Sequence, residues 1–279
     1  MVRQQSNTNP IDVVIVAHAD DWQVFMGDAI VEKIRSGRRP VFIYLTAGDH
    51  GREAVYWRQR EKAAMRSTRA ALRIGQLDAS CDSTLVSGHP ITHCRLGTSD
   101  SYFLRLPDGN RNGAGFARND FASLRKLRAD RERSITAVDS STVYTSWQDL
   151  TETVSTLVRM VSDSAPSGLM LHTSDPSIRI NPHDHYDHRI SGKLTETLIN
   201  AQGWQGRYYV GYALATRAPN RTAVQRQEKT EVFTAYDNEM TAMDPKWSAY
   251  GEHPRFYADC MLRTYSRIAR VKPRNTRGR

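Results

Sequence analysis

Cysteine is nearly absent from this chain: Cys81, Cys94 and Cys260 are the only three in 279 residues. So small, odd and widely spaced a set suggests neither a disulfide framework nor a cysteine-based zinc knuckle, and a reducing cytoplasm is the default expectation. Long apolar runs are missing too. No stretch is long enough to cross a bilayer, and the polar opening from Met1 to Pro10 lacks the apolar core of a signal peptide. No membrane insertion is therefore expected. The chain has no internal repeat and no low-complexity tract. No G-x-G-x-x-G follows its first strand pattern. HADDWQ stands there instead, and its two aspartates would repel a pyrophosphate. Acidic residues are missing from Arg267 onward, where Arg267, Arg270, Lys272, Arg274, Arg277 and Arg279 supply six of the basic charges behind the net +9. Without them an ordinary +3 remains, so the charge balance does not call for a nucleic-acid partner. Residues 271–279 read as a solvated basic tail.

What is present fits a soluble globular protein, with 39% hydrophobic and 25% charged residues. IDVVIVA (11–17) is a near-continuous β-branched run, as a strand buried on both faces requires. A helix over 22–36, a second buried strand over 40–48 and a helix over 58–72 follow. Alternation of this kind builds a parallel sheet with right-handed crossovers. The expected fold is α/β, a Rossmann-like three-layer sandwich with a mainly parallel sheet flanked by helices. It forms one domain over 1–270. Residues 98–148 read as an insertion over one sheet edge that helps shape the site, with a loop over 104–116 and a surface helix over 118–133. Later elements are a helix over 150–161, a strand over 168–173, a helix over 187–200, a strand over 207–214 and helices over 225–243 and 256–270.

Two constellations carry chemistry. His18, Asp20 and Asp21 stand between the first strand and its helix, at the sheet edge where sites assemble in such folds. Two adjacent carboxylates beside an imidazole repel one another unless a cation compensates. His18 and Asp21, three apart on a turn, can share one metal ion while Asp20 faces a bound water. The plain alternative is a helix N-cap. The second constellation is NPHDHYDH (181–188), three histidines and two aspartates in eight residues. His185 and His188 can share a helix face, imidazole suits zinc, and Asp187 can fix a ring tautomer. Here the alternative is a solvated polar loop, which is the favoured reading for His183 taken alone. His50 and His172 also end predicted strands, but an incidental role fits both.

Together these residues resemble the PIG-L/LmbE-like deacetylase family. Ala17-His18-Ala19-Asp20-Asp21-Trp22 is similar to the family's Ala-His-Pro-Asp-Asp-Glu, and His185-Tyr186-Asp187-His188 to its His-Pro-Asp-His. Weaker matches are Thr46-Ala47-Gly48-Asp49-His50-Gly51 to Thr-x-Gly-Glu-x-Gly, and the Arg58–Glu61 stretch to Arg-x-x-Glu. Order and spacing agree over about two-thirds of the chain.

The resemblance implies a zinc-dependent amidohydrolase, with another divalent metal as an alternative, that removes an N-acetyl group from an amino sugar or sugar conjugate. His18, Asp21 and His188 would bind the metal. Asp20 would be the general base, His185 would stabilise the oxyanion or protonate the leaving amine, and Asp187 would orient it. Arg58 is a candidate substrate contact, and Asp108 and Arg105 are candidates within the 102–116 loop. Trp22 stands where the family has Glu, so it is either a platform for the substrate or a packed core residue. The partner would be a small N-acylated sugar or glycoconjugate, and a homo-oligomer is left open. A catalytically impaired carbohydrate-binding member and a metallohydrolase of another bond are the competing readings.

Overall fold

The run IDVVIV forms the strand at the centre of the molecule, β1 (Ile11–Val16), all six residues of which are buried. The structure, a computed structural model, describes residues 9–163 and 168–270. In chain order β1 is followed by α1 (Asp21–Arg35), β2 (Arg39–Thr46), α2 (Ala54–Leu72), β3 (Ser80–Val86), β4 (His89–Leu96), β5 (Ser99–Leu106) and α3 (Leu124–Arg128). A two-stranded ribbon, β6 (Ile135–Thr136) with β7 (Val143–Tyr144), leads to α4 (Trp147–Ser162), β8 (Met170–Ser174), α5 (Tyr186–Gln202) and β9 (Gln205–Tyr209). The chain closes with α6 (Ala223–Met243), α7 (Ala249–Glu252), α8 (Pro254–Met261) and β10 (Ser266–Ile268).

Eight strands form one sheet in the order β10-β9-β8-β1-β2-β5-β4-β3. The five from β9 to β5 run parallel, while β10, β4 and β3 pair antiparallel at the two edges. Ile11, Val13 and Ile15 face one core with α4 and α5, and Val14 and Val16 face the other with α1, α2 and α6. Two buried faces explain why β1 reads as a continuous apolar run and not as an alternation. The result is the three-layer α/β sandwich that the pattern of elements predicts. Because the central strands are parallel, the loops after β1, β2, β5, β8 and β9 all leave from the same edge of the sheet.

Several local expectations need correction. The first eight residues of the supposed 98–148 insertion are largely β5, a sheet strand paired with β2. The surface helix expected over 118–133 shrinks to α3, because Asp120, Phe121 and Asp130 take φ of 50°, 58° and 53°, outside the right-handed helical region. The last expected helix stops at Met261, and Ser266–Ile268 becomes an edge strand. There Arg267 pairs with Asp175 at 2.7 and 2.9 Å and lies over Tyr208 at 4.6 Å. The 271–279 tail lies outside the described residues. Cys81 and Cys94 are directly opposed in the β3–β4 hairpin and form a disulfide. Antiparallel pairing erases the sequence distance that made a bridge look improbable, and the reducing-compartment reasoning loses its support. Among the described residues no helix is long and apolar enough to cross a membrane.

Lys229 of α6 fixes the C-terminal segment. It is fully buried, and its Nζ donates to the carbonyls of Cys260 and Arg263 and to Thr264 Oγ1. Burial pulls the ammonium down to about 8, against about 10.4 in an unfolded chain. Between those values the unfolded state binds more protons, so stability rises with pH. The expected excess over Lys229→Met is on the order of 3 kcal/mol across that window, read from denaturant unfolding at pH 7.5 and pH 10. Parallel pH profiles for the two proteins would contradict it.

Candidate metal centre and active site

The β1 loop and the start of α5 meet at one point. His188 Nε2 lies 3.0 Å from Asp21 Oδ1 and 3.2 Å from His18 Nδ1, and His18 Nδ1 lies 3.4 Å from Asp21 Oδ1. Three donor atoms on a triangle of this size suit a tetrahedral ion with bonds of about 2.0–2.1 Å, whose ligand edges are about 3.3 Å. The backbone sets the first two: the His18 N–H donates to Asp21 Oδ2 at 2.8 Å, locking the turn. His188 is set by Asp184, whose Oδ1 accepts from its Nδ1 at 2.9 Å. That bond leaves the lone pair of His188 on Nε2, aimed at a carboxylate oxygen and a second imidazole. Such a contact is repulsive unless a proton or a cation stands inside it.

The charge balance of the buried rings says the same. Burial works to lower His188, but Asp21 and Asp184 outweigh it and push the ring up to about 10. Burial likewise opposes protonation of His18, and Asp21 and Asp187 raise it well above its ordinary value. Burial works to raise Asp21, whose carboxyl is nevertheless held well below the usual range by His188 and His18. These groups demand positive charge between them. Two buried atoms beside the triangle, His18 Nε2 and Asp187 Oδ1, have no hydrogen-bond partner, the kind of orphan that marks a functional site. The residues present therefore fit a divalent cation.

His185 is the N-cap of α5, and its Nδ1 accepts the Asp187 backbone N–H at 3.2 Å. Its proton then sits on Nε2, 3.6 Å from Asp108 Oδ1. Burial first, and then neighbouring His18, pull this ring down to about 4, so it is neutral at pH 7. Asp108 is also buried, which works to raise it, but His18 and His185 hold it below the usual range. The Asp187 side chain does not reach His185 closely (3.9 Å). It accepts instead from the Gly109 N–H at 2.7 Å and faces His18 Nε2 at 3.6 Å. A Cβ at position 109 would sit 2.4 Å from Asp187 Oδ1, and one at 211 would sit 2.6 Å from the Asp184 carboxylate. The two aspartates thus rest against glycine backbone.

All of these groups lie in or beside one cavity of about 800 Å³, with Asp20, Arg60, Tyr212, Tyr236 and Tyr257 among its walls. Asp20 is ion-paired through Oδ1 with Arg60, whose other terminal nitrogen donates to the Gly48 carbonyl at 3.0 Å. Two of the substrate contacts expected from the sequence lie elsewhere. Arg58 is exposed and lies over Trp57, outside the cavity. Two residues apart on a helix are on nearly opposite faces, and it is Arg60 that shares a face with buried Trp57, Ala64 and Ser67. That spacing was the available signal for Arg60. Trp22 is fully buried between α1 and the sheet, donating its indole N–H to Tyr44 Oη at 3.0 Å. It is core and touches no substrate space.

Of the loop candidates, Asp108 faces the cavity, whereas Arg105 is turned away onto Glu61 and Asp139. His50 and His183 are exposed at the cavity rim. His172 is buried against Asp12 and Tyr209. Asp184 carried no motif signal separable from its neighbours, and the outer wall from Tyr212 to Tyr257 had none.

Among solved structures, one similar in fold is a deacetylase structure. A triple mutant of a deacetylase of the teicoplanin biosynthetic pathway superposes with a TM-score of 0.50 at 10% identity, covering 90% of this chain and 89% of its own. The N,N'-diacetylchitobiose deacetylase from Pyrococcus horikoshii gives 0.49 at 13% identity, covering 99% and 91%. No curated protein sequence matches the chain. The model of the PIG-L family, described as GlcNAc-PI de-N-acetylase, matches residues 13–199, more than half of the chain and both constellations, and the chain accordingly belongs to the PIG-L deacetylase family.

Proposed function

We propose that this protein is a zinc-dependent hydrolase that removes an N-acetyl group from an amino sugar or sugar conjugate. The observation that carries this reading is the convergence of His18 Nδ1, Asp21 Oδ1 and His188 Nε2 on one point at the floor of a substrate-sized cavity. These three residues would hold the ion. When bound, it supplies Lewis acidity toward an amide carbonyl and lowers the pKa of a water.

The remaining chemistry belongs to the chain's own side chains. Asp20 accepts the proton of the attacking water. Its Oδ1 is engaged by Arg60, which leaves Oδ2 for that proton. His185 donates from Nε2 to the carbonyl oxygen as negative charge develops there, an interaction that strengthens toward the transition state. Its tautomer is set by the Asp187 backbone N–H, and Asp108 Oδ1 stands 3.6 Å from the same Nε2. The proton held by Asp20 then passes to the amide nitrogen, and the amine leaves.

Asp20→Asn is expected to keep its zinc, by elemental analysis, and to lose about 10²–10⁴-fold in kcat for amine release. A variant with normal turnover would remove Asp20 as the base. His188→Ala is expected to lose zinc, and an unchanged metal content would exclude it from the ligand set. Asp184→Ala is expected to weaken zinc binding about 10–100-fold without altering the other ligands. Equal affinity in a chelator competition would show that the His188–Asp184 bond does not matter for the metal.

A further inference from the structure

The stretch from Thr46 to Gly51, between β2 and α2, supports the site from behind. Thr46 Oγ1 donates to the Ala17 carbonyl at 2.9 Å, next to His18. The Gly48 carbonyl accepts from Arg60, which holds Asp20. Asp49 is the third support. It is 1% exposed and does not line the cavity. Its Oδ1 accepts the Asp108 backbone N–H at 2.8 Å, and its Oδ2 accepts the Asn119 side-chain N–H at 2.8 Å and the Gly51 N–H at 3.1 Å. None of these three partners is a cation. Burial pushes the Asp49 carboxyl up in spite of them. A buried carboxylate without a counter-charge is costly. What it offers here is acceptance at both oxygens, where an amide side chain would accept at one only.

The bond to Asp108 fixes where the 108–111 loop begins after β5, and that loop grips the first turn of α5. Asp108 Oδ1 accepts the Asn110 N–H at 2.8 Å, which sets the course of the loop. The Gly109 N–H donates to Asp187 Oδ2 at 2.7 Å, and the Arg111 carbonyl accepts the Tyr186 N–H at 3.1 Å. Tyr186 and Asp187 directly follow His185, whose Nδ1 accepts the Asp187 N–H. Hydrogen bonds and chain connectivity therefore run without a gap from the Asp49 carboxylate to the His185 ring.

We infer that Asp49 is a positioning residue of the active site, which fixes the 108–111 loop and through it the place of the His185 ring. The role of His185 in catalysis rests on the deacetylase reading, whereas the run of contacts does not. Misplacing a catalytic group by about 1 Å can cost on the order of 10²-fold in rate.

The test uses the zinc-loaded full chain with N-acetylglucosamine and counts kcat per bound zinc, so that unfolded or unloaded molecules do not imitate the effect. Asp49→Ala should keep its zinc and lose about 10–100-fold in kcat, with KM changed by less than about threefold. Asp49→Asn, which keeps an oxygen for the Asp108 N–H, should recover most of that loss. If Asp49→Ala does not fold, Asp49→Ser serves in its place, since its hydroxyl is too short to span to Asp108 and Asn119, and the same loss is expected. In a His185→Ala background Asp49→Ala should cost less than about twofold more, because groups that act through one another are not additive. Histidine-ring NMR gives a readout without substrate. The His185 signals, assigned by their loss in His185→Ala, should move in Asp49→Ala and stay in place in Asp49→Asn. Those of His172, buried against Asp12 and Tyr209, should not move in either.

Wild-type kcat per bound zinc in Asp49→Ala, loss of its zinc, or the full loss repeated in the His185→Ala background would each overturn the inference and leave the deacetylase reading standing. Should the wild type release no amine, the deacetylase reading falls and the NMR decides: displacement of the His185 signals upholds the role of Asp49, and unmoved signals overturn it.

Discussion

The contact on which this site depends is between His188 and Asp21. With its Nδ1 proton committed to Asp184, His188 presents a lone pair to a carboxylate oxygen 3.0 Å away, with a second imidazole beside it. Two lone pairs facing each other at that distance repel unless a proton or a cation stands between them. A metal ion meets that need for all three donors at once, and their triangle has the dimensions of a metal site. The hydrogen bonds around it serve to keep these atoms pointed inward against their mutual repulsion. The His18 N–H on Asp21, Asp184 on His188 and Gly109 on Asp187 are the main ones.

This convergence is possible because the sheet is parallel at its centre. His18 and Asp21 leave the end of β1. The α5 ligand follows β8, which is paired directly with β1. Asp108 follows β5, and Tyr212 follows β9. Chain segments far apart in sequence therefore open onto one edge, and the antiparallel additions at β10, β4 and β3 stay clear of it. Two residues without side chains, Gly109 and Gly211, let the supporting aspartates approach backbone more closely than any Cβ would permit.

Much of this was legible in the residues themselves. The double-faced burial of β1 and the strand–helix alternation give the sandwich, and the HADD and HDHYDH clusters give the two halves of the site. What escaped is physically specific. Arg58 and Arg60 share a motif, and only helix phase distinguishes the one that turns inward. Trp22 sits beside Asp21 in sequence, but its side chain enters the layer between helix and sheet. The Cys81–Cys94 bridge depends on hairpin register. The outer wall of the cavity, from Tyr212 through Phe256 and Tyr257, is drawn from residues beyond the family match, where no motif announces a role. The same region supplies Lys246 and Glu252 to the rim.

The central claim is that two distant segments share one divalent cation, and a crystal structure of the zinc-soaked full chain with anomalous data across the zinc edge tests that most directly. One peak within about 2.0–2.3 Å of His18 Nδ1, an Asp21 carboxylate oxygen and His188 Nε2 is the predicted result. A zinc peak that engages only one of the two segments, or no peak between them at saturating zinc, would contradict it.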